Sequence, residues 1–125
     1  MKDSPWLLEF LELIRKKPGM YLGENRVERL EAYILGYRQA RIDFGLPEFH
    51  ESEESILEGF TYWLAVKLKS TMSLNWAGFI SHELDPSQDN IYTFYKYFDQ
   101  FMLERKRKTL EQLKFEYDVL FNRIT

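Results

Sequence analysis

From Gln88 to Ile124 the chain contains neither glycine nor proline. Ile91, Phe94, Tyr95, Phe98, Phe101 and Met102 mark one apolar face. Beyond a basic run, Arg105-Lys106-Arg107-Lys108, the pattern resumes with Leu110, Leu113, Tyr117, Leu120 and Ile124. A stretch without backbone breakers, with apolar residues three or four apart, specifies α-helix. Two arrangements satisfy it. One is a single helix of about 35 residues, roughly 50 Å long at ~1.5 Å per residue. The other is two helices meeting near the basic run. A domain of this length is about 30–40 Å across, so a single helix would project, with residues 103–125 used for association. Leu103, Leu110, Tyr117 and Ile124 are seven apart, the spacing of a coiled-coil seam, which suits a homodimer through this segment.

The rest of the chain reads the same way. Ser4 is placed to cap a first helix with Pro5 at its first position. Trp6, Leu7, Phe10, Leu11, Leu13 and Ile14 follow at helical spacing, and Pro18-Gly19 ends it. Asn25 is the expected cap of a second helix carrying Val27, Leu30, Tyr33, Ile34, Tyr37 and Ile42, which Gly45-Leu46-Pro47 stops. Gly36 lies inside that pattern at a cost of about 1 kcal/mol against Ala, so close packing of another helix is expected there. A third helix is expected from about Ser52 to Lys69, with Ile56, Phe60, Trp63, Leu64 and Leu68 inward. A short one follows from Leu74 to Glu83, capped by Ser73. No stretch shows strand alternation. The expected fold is all-α, a single-domain bundle over residues 1–125 with about five helices and a long C-terminal helix or helix pair.

The 125 residues suit one domain, and 17 % are aromatic, enough for a dense core and an aromatic surface besides. The absence of cysteine excludes disulfides and thiolate chemistry. No apolar run approaches the ~20 residues a membrane span requires, and Glu9 and Glu12 interrupt the N-terminal stretch where a signal peptide would be uncharged. These features point to the cytoplasm.

Charge distribution says more than the net −3. Residues 46–60 hold Glu48, Glu51, Glu53, Glu54 and Glu58 and no base, while bases cluster at Arg15-Lys16-Lys17 and Arg105 to Lys108. Two short basic clusters on an acidic chain support nucleic-acid binding poorly. An unbroken acidic run suits a basic protein partner. Tyr62 and Trp63 are neighbours and point in different directions on a helix, so an aromatic is expected beside the acids, as in binding hot spots. Glu51, Glu53, Glu54, Glu58 and Tyr62 are therefore the expected partner-binding residues. The same carboxylates have the chemistry for acid–base catalysis, but on a polar connection a solvated or electrostatic role is the simpler reading. His50 and His82 lie apart beside helix-end acids, without zinc-site spacing. No catalytic residue, cofactor or metal ligand is assigned.

Two resemblances bear on function. Ile14-Arg15-Lys16-Lys17-Pro18-Gly19-Met20-Tyr21-Leu22-Gly23 resembles the start of the ATPase domain of type II topoisomerases. That family needs a metal-holding Asn on the next helix and glycine motifs downstream. Here the helix reads Leu35-Gly36-Tyr37-Arg38-Gln39-Ala40-Arg41, and both features are missing, so ATP binding is not expected. The same turn, with Leu30 to Tyr37, Phe60 to Leu64, Trp76-Ala77 and Phe94 to Phe101, resembles small helical bacterial proteins. Some of these are associated with contact-dependent or polymorphic toxin–immunity loci. The resemblance implies an immunity protein that neutralises a basic toxin domain by stoichiometric occlusion. The alternative is a self-associating structural or regulatory protein with weak nucleic-acid contact.

Overall fold

The computed structural model describes residues 3–124, with side chains through Asn122. It is all-α, with seven helices and no strand among the described residues. They are α1 (Leu7–Lys16), α2 (Pro18–Leu22), α3 (Val27–Asp43), α4 (Ile56–Leu68), α5 (Trp76–Gly78), α6 (Ile91–Arg105) and α7 (Leu110–Ile124). α5 runs directly into a π-helical stretch, Phe79–Leu84. The count exceeds the expected five because Pro18 opens its own short helix and the C-terminal run divides in two. No described helix is long and apolar enough to cross a membrane.

α4 is the central element. Ile56, Leu57, Phe60, Trp63, Leu64 and Ala65 are all buried, more of its circumference than one apolar stripe would cover. Phe60 forms the hub of an aromatic core, with its ring 5.7 Å from Phe94, 5.2 Å from Phe98 and 5.3 Å from Phe101. The first two are edge-to-face, and pairs of that kind contribute about 0.5–1.5 kcal/mol beyond area burial. α1 adds Leu7, Leu11 and Ile14. It is tied to α6 by the Tyr95 hydroxyl, which donates to the Leu11 carbonyl at 2.7 Å, and by the Arg15 guanidinium fork on Asp99.

The last segment does not project. It breaks at residues 106–109, and α7 returns along α4. Leu113 is buried against the core, and Tyr117 packs on Tyr62 with ring centroids 5.2 Å apart. The middle of the stripe, Leu113 and Tyr117, therefore finds its cover within the chain. Leu103, at the start of that spacing, is 66 % exposed. Ile124, at its end, lies outside the described side chains.

Several helix ends are built differently from the sequence expectation. α1 begins at Leu7, and its cap is the carboxylate of Glu53, not Ser4. α3 is capped by Asn90, whose Oδ1 accepts from Val27 N–H at 2.8 Å, while Asn25 supplies only its carbonyl, to Ile91 N–H. Asn75, not Ser73, caps α5 by accepting from Gly78 N–H at 2.9 Å. The third helix starts at Ile56 because residues 51–55 form turns. Gly36 is not a packing contact: a Cβ built there meets no atom within 4 Å. Tyr33, Tyr37 and Ile42 are exposed as well, so this part of α3 lies on the surface. The helix that does use a glycine for close approach is α4. At Gly59 a Cβ would lie 3.3 Å from Phe101 Cζ and 3.5 Å from a methyl of both Leu110 and Leu113.

Candidate binding surface

The acidic connection between α3 and α4 is anchored at several points. Glu48 pairs with Arg38 at 2.6 Å. The Arg38 guanidinium lies 4.8 Å from the Phe49 ring centre, and Phe49 stacks on Trp6 with planes 4° apart. Phe49 thus pins an otherwise polar segment to the core. His50 closes a local turn, its Nδ1 lying 2.8 Å from the Ser52 hydroxyl and accepting from Ser52 N–H at 3.2 Å. His82 is exposed on the π-helical stretch. Among the described residues no three metal-ligating side chains of the His, Cys, Asp or Glu type come together.

This anchoring sorts the acids. Glu53 turns inward and is only 4 % exposed. Its Oε1 accepts from Trp6 N–H at 2.7 Å and Leu7 N–H at 2.8 Å, and its Oε2 from Leu8 N–H at 3.0 Å. A buried carboxylate on the otherwise unpaired N–H groups of a helix start is stabilised both by the bonds and by the helix dipole. Glu53 is therefore removed from the partner-binding set. Its side chain is consumed inside the fold.

Glu54 and Glu58 point outward and line a groove of about 520 Å³ with Arg38, Glu48, Phe49, Leu57, Thr61 and Trp76. Glu51 is exposed on the adjoining turn but does not line the groove. Tyr62 does not line the groove either; it is half-buried, and its hydroxyl donates to Glu58 Oε1 at 3.1 Å. Burial, then the Glu58 hydrogen bond and charge, push the Tyr62 hydroxyl above its ordinary pKa. Tyr62 thus stays protonated and holds Glu58 in place. Trp63 diverges from Tyr62 as helical geometry demands: it is buried, and its indole N–H donates to Glu104.

Among the described residues no cation pairs with Glu51, Glu54 or Glu58. The groove therefore offers unneutralised carboxylates above an apolar base, a combination that suits an arginine or lysine presented by another macromolecule. Sequence reasoning missed the groove's other half: Arg38, Phe49, Thr61 and Trp76. Phe49, a lone large apolar residue within a polar run, was the available signal. Thr61 joins the two sides, donating to the Leu57 carbonyl at 3.0 Å and accepting from Trp76 N–H at 3.1 Å.

No family model, curated protein or solved structure matches the chain.

Proposed function

We propose that the chain is a protein-binding module whose groove receives a basic side of its partner, and that it acts as an immunity protein neutralising a bacterial toxin by stoichiometric occlusion. The observation that carries the binding reading is the pair of unneutralised carboxylates, Glu54 and Glu58, above Phe49, Leu57 and Trp76. Ordinary folding does not require like charges to be gathered without counter-ions. Complementary charge across an interface raises association rates and excludes wrong partners. The toxin assignment draws its support from the sequence resemblance to helical proteins of toxin–immunity loci.

The test is protection. Cells carrying a basic toxin domain encoded beside this gene are expected to grow when the wild-type chain is co-expressed. Glu54→Lys with Glu58→Lys is expected to abolish protection while leaving the melting temperature nearly unchanged, because neither carboxylate pairs with a cation among the described residues. Binding should weaken as salt rises. Full protection by the double variant refutes the groove as the contact surface.

A second reading, self-association, is favoured by one observation. Leu103 and Phe115 are 66 % and 68 % exposed near the bend between α6 and α7. Light scattering across a concentration series separates the two: a stable dimer that Phe115→Ser dissolves supports the second.

A further inference from the structure

The bend between α6 and α7 borders a second cavity, an open one of about 350 Å³, on the other flank of α4. Its floor is apolar, made by Gly59, Phe101, Leu110 and Leu113, and its wall carries Arg105, Lys106, Arg107, Lys108, Thr109 and Ser55. The glycine at 59 is what allows Phe101 and α7 to close this tightly on α4.

The arginines around this cavity differ from those elsewhere. Arg15, Arg26, Arg29, Arg38 and Arg41 each reach a carboxylate. Lys108 is held by Glu116 at 2.7 Å, and Glu104 is engaged by the Trp63 indole. Arg105 and Arg107 reach no carboxylate among the described residues, and neither does Lys106. Among the described side chains, the two arginines left without an ionic partner thus line the same cavity, in a chain with 20 acids against 17 bases. The hydroxyls there also retain capacity. Ser55 makes no capping bond to α4, and Thr109 Oγ1 accepts from Gln112 N–H, which leaves its proton for another acceptor.

We propose that this cavity binds a small phosphorylated compound, with Arg105 and Arg107 gripping the phosphate and the Phe101–Leu110–Leu113 floor receiving its apolar part. Guanidinium groups match phosphate oxygens through paired, charge-assisted hydrogen bonds. The volume falls in the usual range for small-molecule sites, about 300–1,000 Å³. A nucleic-acid strand is the poorer occupant. A strand needs an extended basic track, and here Glu104 and Glu111 flank the bend while Glu54 and Glu58 lie on the opposite side of α4. The site is independent of the acidic groove and of the toxin-binding reading.

Calorimetric titration of the full chain at about 0.15 M salt, where exposed charges are largely screened, tests the proposal. Inorganic pyrophosphate and phenyl phosphate are the probes. Saturable one-to-one binding of at least one is expected, weakened about tenfold or more in Arg105→Gln with Arg107→Gln and retained in Lys16→Gln with Lys17→Gln. Both double variants should melt like the wild type, since no described ion pair is removed. Absence of saturable binding of both probes, or equal affinity in the Arg105→Gln, Arg107→Gln variant, overturns the proposal. So does a short single-stranded oligonucleotide that binds through the same arginines more tightly than either probe, which would make the bend a nucleic-acid contact.

Discussion

Replacing Glu53 should damage this protein more than replacing any other glutamate of the acidic connection. The carboxylate accepts three backbone N–H groups from the first turn of α1, at 2.7, 2.8 and 3.0 Å, and two of these bonds are buried. Leaving a buried donor unsatisfied costs about 1–3 kcal/mol. Two such donors set an expected loss of about 2–6 kcal/mol for Glu53→Ala, with the lower half favoured because a helix end can fray toward water. Glu53→Gln keeps one carbonyl oxygen for Trp6 and Leu7 but loses the bond to Leu8 and the charge at the helix start. The dipole interaction alone is worth up to ~2 kcal/mol in a partly buried setting, so a loss of about 1–2 kcal/mol is expected. Glu54→Ala, on the exposed side of the same turn, should stay within about 0.5 kcal/mol of wild type. Urea unfolding followed by helical circular dichroism measures all three as midpoint shifts at constant slope. The expected result is the lowest midpoint for Glu53→Ala, an intermediate one for Glu53→Gln, and one close to wild type for Glu54→Ala. A Glu53→Ala midpoint indistinguishable from that of Glu54→Ala would refute the cap and return Glu53 to the surface.

Other consequences follow from the same packing. Gly36→Ala should stabilise by about 1 kcal/mol, since it removes a helix-interior glycine and its Cβ meets nothing; Gly59→Leu should destabilise by about 1–3 kcal/mol or more through overpacking against Phe101, Leu110 and Leu113. Thermal melting of the pair should give shifts of opposite sign. Burial pushes the Tyr95 hydroxyl well above its ordinary pKa, with Arg15 opposing the shift. The folded state therefore favours the protonated phenol. Its stabilisation is whole below the unfolded value of about 10 and declines as pH rises from there through the folded value. Tyr95→Phe should cost about 1 kcal/mol at neutral pH by removing the bond to Leu11. It should also lose less stability than the wild type in unfolding curves taken between about pH 9 and 11.

Much of the architecture was legible because helical periodicity is a local property. The apolar positions of α1, α4 and α6 follow from spacing alone, and Leu7, Ile14, Phe60, Phe94 and Phe101 are indeed buried. Whether residues 88–124 form one helix or two was left open by the spacing, and the structure divides them. Thr109 and Gln112 form a capping box, with Thr109 N–H donating to Gln112 Oε1 at 2.8 Å and Gln112 N–H to Thr109 Oγ1 at 3.2 Å. The pattern Thr-x-x-Gln favours a helix start, a local signal for a division before Leu110 that the apolar spacing alone left open.

The sequence by itself determined the helical class, most helix positions, the aromatic core and the absence of thiol chemistry, since each depends on neighbours within a few residues. Only the tertiary structure decided how the charges are used. Glu53 and Glu54 are adjacent and chemically identical, yet one is buried as the cap of a helix 46 residues away and the other lines an open groove. The direction of a side chain on an irregular turn depends on what lies beneath it, and here that is the start of α1 and the Phe49–Trp6 stack. The same holds for the last helix. Its apolar stripe was equally suited to a second copy or to the chain's own core. A bend at residues 106–109 and a glycine at 59 let α7 lie against α4, and which surface covers the stripe is settled only once these distant segments meet.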